Sequence, residues 1–231
     1  MEEKLPYWLA NVPKEEWPSS CPDFLINANV KDRKILSTPD SEYHRLTWPE
    51  LQHIIKTNRI DLLQRVPSDL RKYIEFNAKL RKEYGSVMSY ILKVRLGWDD
   101  LTPQNSTPFA SPADIKIVCN DWPYGIEQDI HHLIVWTKFD IEEDPLDGDL
   151  TPRGRKMIQD FVDETFCKRV PPDHVAWFKN WKSLKSIQSV EHFHVVLKEP
   201  DPDFLNEITN GDIPMSKRLE QTEKMETNGQ I

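Results

Sequence analysis

The sequence predicts an α+β fold with an antiparallel sheet and an N-terminal helical cap. Apolar residues recur every three or four positions in the first half of the chain, which is the spacing of amphipathic helices. From residue 115 onward the apolar residues form short runs typical of strands, and one helical segment interrupts them. Because the helices precede the strands instead of alternating with them, an antiparallel sheet is favoured over a doubly wound parallel one.

The chain length of 231 residues suits one domain with extensions at its ends. Prolines and charges dominate residues 1–44, so we expect an irregular arm there. We assign residues 45–205 to a single α+β domain, with a helical cap over 45–97 and a sheet core over 115–197. Residues 206–231 are polar and charged, and we expect this tail to be disordered.

Local signals place the helices of the cap. Thr47 is an N-cap residue with Glu50 three positions later, which is the pattern of a capping box. The longest helix is predicted from Pro67 to Gly85, because proline favours a first turn and glycine a C-terminal cap. A further helix is predicted over residues 86–96.

Four short apolar runs predict the strands of the sheet core. They cover residues 115–119, 131–138, 175–181 and 190–197, and a helix over 151–167 separates the second run from the third. The second run has a nearly continuous apolar middle, which is typical of a strand that is covered on both faces.

Composition excludes several classes of function. The chain has 30 Lys and Arg against 38 Asp and Glu, and this acidic balance argues against a nucleic-acid partner. The chain contains only 7 Gly and neither a G-x-G pattern nor a P-loop, so glycine-rich phosphate cradles are not expected. No apolar run approaches the roughly 20 residues that a membrane-spanning helix needs, so we expect no membrane partner.

The same chain features set expectations about compartment and cofactors. Three scattered cysteines without a C-x-x-C motif are typical of reduced thiols in the cytoplasm or nucleus. We expect a small-molecule ligand and no cofactor, and the oligomeric state stays open.

Histidines in two predicted strands carry the strongest chemical signal. His192 and His194 are two residues apart, so they project from the same face of a strand. If the two strands pair, His131 or His132 joins them. Three interpretations follow: a nucleophilic imidazole that a second histidine orients, a metal site, or two ordinary histidines. The short H-x-H motif alone favours the last.

The residues around His192 and His194 resemble the signature of the histidine-triad superfamily. An Asn ends one strand, and Gln-Ser-Val-x-His-x-His then enters the next. The resemblance implies a histidine-triad-like sheet in which His194 is the nucleophile, with His192 as the first triad histidine and His132 as a supporting one. Val196 stands at the third triad position.

The resemblance and the neighbouring residues together give a set of candidate ligand contacts. The resemblance implies that Gln188 and Ser189 contact phosphate, that Asn180 anchors the loop, and that Asp121 meets a ribose. Cationic and polar side chains occupy the loop that the superfamily fills with glycine, and we expect them to bind phosphate as well. The candidate ligand-binding residues are Asn120, Asp121, Trp122, Asn180, Lys182, Ser183, Lys185, Gln188 and Ser189.

A second resemblance covers residues 45–200 and is carried by many short runs. They include Thr-Trp-Pro-Glu-Leu from residue 47, Asn-Asp-Trp-Pro-Tyr-Gly from residue 120 and Gly-Asp-Leu-Thr-Pro from residue 148. These runs resemble the fungal N-acetylglucosamine-induced protein family. The resemblance implies a protein connected with the response to N-acetylglucosamine; the family is a domain of unknown function, so it supplies no catalytic residues.

These observations lead to one hypothesis and two alternatives. The leading hypothesis is a binding site for a nucleotide or nucleotide sugar, with phosphate-ester hydrolysis or nucleotidyl transfer through His194. The first alternative is a sensor that keeps the pocket without turnover, which the valine at position 196 favours. The second is a metal-binding His-x-His protein. Whether the protein is an enzyme stays open.

Overall fold

The fold is built on a four-stranded antiparallel sheet whose order is β1-β2-β4-β3. In this computed structural model the described residues are 5–146, 148–181, 190–227 and 229. The α+β class and the antiparallel sheet are confirmed, whereas a histidine-triad-like fold stays a prediction. The strands are β1 (Ile115–Cys119), β2 (Ile130–Thr137), β3 (Val175–Phe178) and β4 (Glu191–Lys198).

The register of the two central strands decides which histidines share a face. Ile134 of β2 pairs with His194 of β4, and Trp136 pairs with His192. Because side chains alternate along a strand, His132 projects from the same face as both of these histidines, and His131 projects from the other. We call this surface the histidine face.

The opposite surface of the sheet is the main hydrophobic core. Phe193, Val195 and Leu197 of β4 are fully buried there. They pack with helices α6 (Pro152–Thr165) and α7 (Pro202–Thr209). Helix α6 begins where the Thr151 side chain accepts a hydrogen bond from the backbone N–H of Gly154, and its apolar stripe faces the sheet.

The helical cap covers the histidine face. It consists of α3 (Trp48–Lys56), α4 (Pro67–Tyr84) and α5 (Val87–Tyr90), followed by a π-helical stretch, Ile91–Leu96. The capping box at Thr47 and Glu50 is present, and Gly85 ends α4 with a positive φ. None of the helices in the described residues is long and apolar enough to cross a membrane.

The two ends of the chain differ from the irregular arm and the disordered tail that we expected. The arm contains α1 (Asp23–Ile26) and α2 (Val30–Leu36), whose apolar residues form a small core with α4. The predicted tail contains the end of α7 and also α8 (Met215–Thr227). Asp212, between these helices, forms a buried ion pair with Arg95, and this long-range contact is invisible in the local composition.

Candidate functional site

A cavity of about 360 Å³ lies between the histidine face and the helical cap. Helices α4 and α5 form one wall, and strands β1, β2 and β4 form the other. This volume falls in the range of small-molecule sites, which is about 300–1,000 Å³. The polar groups that matter below are Arg65, Arg81, Asn120, Asn180, His192 and His194.

His132 and His194 form a directly hydrogen-bonded pair beside this cavity. Nε2 of His132 lies 3.0 Å from Nδ1 of His194, and Nδ2 of Asn180 lies 3.1 Å from Nε2 of His194. The Asn180 amide donates, so the consistent assignment leaves Nε2 of His194 as an acceptor. Nδ1–H of His194 then donates to His132. Both ring nitrogens of His194 are therefore used within the protein.

Burial keeps this histidine pair neutral. Desolvation, followed by the positive charge of Arg65, lowers the pKa of His132 to about 3. Desolvation and the neighbouring histidines hold the pKa of His194 well below its usual value. Aromatic rings fix both imidazoles, because Tyr124 stacks on His132 and Phe178 lies 4.7 Å from His194 at an interplanar angle of 11°.

His192 has a different hydrogen-bonding pattern. Its Nδ1 lies 3.0 Å from the carbonyl oxygen of Val190, and a carbonyl can only accept, so Nδ1 carries the proton. The lone pair of the neutral ring is then on Nε2. Trp136 packs 4.4 Å from the imidazole, centroid to centroid. The contact with the Val190 carbonyl therefore fixes the tautomer of His192.

Arg65 brings a positive charge to the same cavity. Its Nε donates to the carbonyl oxygen of Trp122 at 2.9 Å, and its guanidinium lies 4.0 Å from the ring centroid of Tyr73. We find no ion pair for Arg65, and no protein acceptor for its two terminal nitrogens, among the described residues. Arg81 lies at the exposed rim of the cavity, also without an ion pair in that part of the chain.

Arg95, in contrast, is neutralised by two carboxylates. It contacts Asp121 at 2.9 Å and Asp212 at 2.7 Å, and its side chain is 8% exposed. Asp121 also accepts a hydrogen bond from the backbone N–H of Met215. The carboxylate that we expected at a ribose is therefore occupied by a structural ion pair, although Asp121 still borders the cavity.

The structure brings several of the predicted site residues together. Four of them lie together at the histidine face, in the contacts described above: His132, His192, His194 and Asn180. Asn120 joins them with Nδ2 3.3 Å from Nε2 of His132. Trp122 lines the cavity with its ring packed on the cap. The remaining predictions, for Lys182, Ser183, Lys185, Gln188 and Ser189, lie outside the described residues.

Sequence reasoning missed the contributions of the cap. Arg65, Arg81 and Tyr90 line the cavity, yet they lie far along the chain from the histidines. No local motif marks these three residues, because only the packing of α4 and α5 over the sheet brings them to the site.

The geometry of the histidines also bears on the metal alternative. Within the described ranges, no group of three or more His, Cys, Asp or Glu side chains is arranged to hold a metal ion. His132 and His194 point nitrogens at each other, whereas metal ligands would point them at a shared centre.

Comparison with known proteins places the chain in a family. Residues 47–198 match the family described as "Protein of unknown function (DUF3605)". The chain belongs to this family. The match covers the cap, the sheet and every histidine of the histidine face, and it confirms the family resemblance found in the sequence.

Individual relatives agree with this assignment. The chain is 32% identical to N-acetylglucosamine-induced protein 1 of Candida albicans over 185 residues, which is 71% of this chain and 73% of that protein. It is 26% identical to the uncharacterized protein YPL067C of Saccharomyces cerevisiae over 172 residues, covering 72% and 85% of the two chains.

A solved structure supports the fold. It is titled "Crystal Structure of HTC1" and superposes with a TM-score of 0.57 at 23% identity, covering 73% of this chain and 97% of that one.

Proposed function

We propose that this protein binds a nucleotide or a nucleotide sugar in the cavity on the histidine face. The observation that carries the proposal is Arg65, a cation without an ion pair among the described residues. It lines a cavity that is walled by aromatic rings and histidines. A guanidinium with open terminal nitrogens suits phosphate oxygens, and the aromatic walls suit a base or a sugar.

The Candida albicans relative directs the choice of ligand. Its name connects it with induction by N-acetylglucosamine, and this chain shares 32% of its residues with that protein in the aligned region. We therefore place UDP-N-acetylglucosamine first among the candidate ligands and take the N-acetylglucosamine response as the setting in which this protein acts.

A second candidate function is phosphate-ester cleavage through a histidine. The resemblance to the histidine-triad superfamily assigns the attack to His194, oriented by His192 and His132. The hydrogen bond from Nδ1–H to the Val190 carbonyl places the lone pair of the neutral His192 ring on Nε2, so Nε2 of His192 is a second candidate nucleophile beside His194. In this step Nε2 attacks phosphorus, the bond to the leaving oxygen breaks, and that oxygen takes a proton from water; a second water then cleaves the phosphorus–nitrogen bond.

The non-catalytic alternative rests on the same pair of histidines. His132 and His194 are buried, neutral and hydrogen-bonded to each other, so they position groups around the cavity without exchanging protons near neutral pH. A sensor of a nucleotide sugar needs this fixed pocket and no turnover.

Calorimetric titration with UDP-N-acetylglucosamine, UDP and N-acetylglucosamine tests the binding proposal. Arg65→Gln is expected to weaken UDP binding about 10- to 100-fold, because a charge-assisted hydrogen bond contributes about 1.5–3 kcal/mol. Arg153→Gln is the matched control, since Arg153 is an exposed residue of α6 and does not line the cavity. Absence of binding by any nucleotide probe, or equal affinity in Arg65→Gln, contradicts the proposal.

Product analysis of the same mixtures separates the enzyme from the sensor. If a histidine attacks phosphorus, ³¹P NMR shows turnover in the native protein that His192→Ala abolishes. Loss of turnover in His194→Ala with full activity in His192→Ala would assign the attack to His194. Binding without turnover in any protein supports the sensor.

A further inference from the structure

Two side chains that line the cavity carry a buried polar group without a hydrogen-bond partner among the described residues. These groups are the hydroxyl of Tyr90 and the indole N–H of Trp122. Their residues are only 5% and 4% exposed. Native proteins pair the great majority of buried polar atoms, so two such groups in one cavity indicate a partner from outside the chain.

Both side chains pack against the helical cap. The rings of Tyr90 and Trp122 pack on Phe76 of α4, with centroid distances of 5.8 Å and 5.7 Å. The backbone of Trp122 is held on both sides, because its N–H donates to Asn120 and its carbonyl accepts from Arg65. The indole is thus anchored next to the arginine, while its own N–H remains unused.

The chemistry of these groups defines what they can bind. An indole N–H only donates, so its partner must be an acceptor. Burial and the nearby Asp121 raise the pKa of Tyr90 to about 12, so its hydroxyl keeps its proton at neutral pH. Asp121 borders the same cavity, and its negative charge favours an uncharged acceptor over a second anion.

We infer that Tyr90 and Trp122 form a subsite for a neutral oxygen acceptor of the ligand, a carbonyl or hydroxyl group, adjacent to the phosphate position at Arg65. The inference rests on the proposed function and adds the part of the ligand that the cap recognises. In a nucleotide sugar this chemistry has two sources. They are the carbonyl edge of the pyrimidine and the hydroxyl and N-acetyl groups of the sugar.

Tyr90→Phe and Trp122→Phe test this subsite: the first removes only the hydroxyl, and the second removes the N–H together with part of the indole but keeps an aromatic ring. Calorimetry with UDP, UDP-N-acetylglucosamine and N-acetylglucosamine 1-phosphate is expected to show affinities about 3- to 10-fold weaker for each variant, the range of one hydrogen bond. Weaker binding of UDP but not of the sugar phosphate assigns the pyrimidine to the subsite; the reverse assigns the sugar.

Melting temperatures of the free proteins supply the second readout. Since the Tyr90 hydroxyl has no partner among the described residues, Tyr90→Phe is expected to melt at or above the temperature of the native protein, whereas Trp122→Phe also loses buried ring volume and is expected to melt lower. Trp48→Phe is the contrast, because the Trp48 indole donates to the carbonyl of Asp173 and lies outside the cavity. It is expected to lower the melting temperature and leave affinity unchanged. Tyr84→Phe, whose partly exposed ring lies 5.2 Å from that of Tyr90, should change neither.

The outcomes distinguish this inference from the proposed function. If the native protein binds UDP and both variants bind every probe as tightly, the subsite is rejected and the binding proposal stands. If Tyr90→Phe melts as early as Trp48→Phe, the Tyr90 hydroxyl has a structural partner and the subsite is rejected. If the native protein binds none of the three probes, the proposed function and the subsite fall together.

Discussion

The two faces of strand β4 show what the same backbone does with two different sets of side chains. Phe193, Val195 and Leu197 are fully buried and apolar, and they hold the sheet against α6 and α7. On the other face His192 and His194 are nearly as buried, yet they carry four ring nitrogens into a cavity wall. The first face stabilises the fold, and the second holds polar groups in fixed positions where water is largely excluded.

The difference shows where this fold tolerates polar groups. Burying an imidazole without partners costs free energy, and the histidine face limits that cost by pairing His132 with His194 and His194 with Asn180. Where the cavity wall packs on the cap, the hydroxyl of Tyr90 and the indole N–H of Trp122 have no partner among the described residues. The polar groups on the sheet side of the cavity are therefore hydrogen-bonded to one another, whereas these two groups next to the cap are not.

The largest expected effect comes from the apolar face. Phe193→Ala removes a fully buried ring, and we expect a loss of about 3–5 kcal/mol in the free energy of unfolding. Urea unfolding followed by tryptophan fluorescence measures it. A loss below about 1 kcal/mol would contradict the assignment of this face as the main core.

The second-largest effect is expected from a fall in pH, which destabilises the histidine face. His132 and His194 have folded pKa values below the unfolded value of about 6.5, so the unfolded chain binds more protons as the pH falls. The stability they contribute is complete above about pH 6.5 and is lost toward pH 3. Between pH 7 and pH 5 we expect a loss of about 2–4 kcal/mol in the free energy of unfolding.

The control for this pH effect is the double variant His132→Leu/His194→Leu. It keeps every other titrating group, including Asp121, whose pKa burial raises and whose contribution has the opposite sign. The free energy of unfolding is measured for the native protein and for the double variant at pH 7 and pH 5. The two pH-dependent losses are then compared. An equal pH dependence in the two proteins would show that this pair is not the source.

A smaller effect is expected from breaking the histidine pair by one substitution. His194→Leu leaves the Asn180 amide without its partner and leaves Nε2 of His132 with only the contact to Asn120, which we expect to cost about 1–2 kcal/mol. A double-mutant cycle with His132→Leu measures the coupling, expected at about 1 kcal/mol. Additive losses from the two single variants would contradict a direct hydrogen bond.

The smallest effect on stability is expected at the rim of the cavity. Arg81→Gln changes an exposed side chain without an ion pair among the described residues, so unfolding should shift by less than about 0.5 kcal/mol. Affinity for UDP is expected to fall about threefold, because the lost charge is screened by solvent. Chemical unfolding and calorimetry on one preparation give both values; unchanged affinity would remove Arg81 from the ligand's surroundings.

Local sequence signals predict where the helices and strands lie. They do not predict which residues of two strands pair with each other. The capping box at Thr47 and Glu50 and the alternation of His192 and His194 are properties of a few adjacent residues, so they were readable in advance. The sequence does not distinguish His131 from His132, because the choice depends on which residue of β2 pairs with His194.

Long-range contacts account for what the sequence did not show. Arg65, which lies just before α4, and Tyr90 of α5 reach the cavity because these helices pack over the sheet. Asp212 lies in a polar segment expected to be disordered, and its partner Arg95 is 117 positions earlier in the chain. A charged residue on its own predicts solvent exposure, and only the tertiary structure shows which charge it neutralises.

The most direct test of the histidine-face cavity as a ligand site is NMR of the indole N–H groups during titration with UDP-N-acetylglucosamine. The chain has eight tryptophans, and Trp122→Phe and Trp48→Phe assign the two signals that matter. We predict a saturable shift of the Trp122 signal with an unchanged Trp48 signal, whose N–H is bonded to Asp173. An unmoved Trp122 signal at saturating ligand would contradict the account.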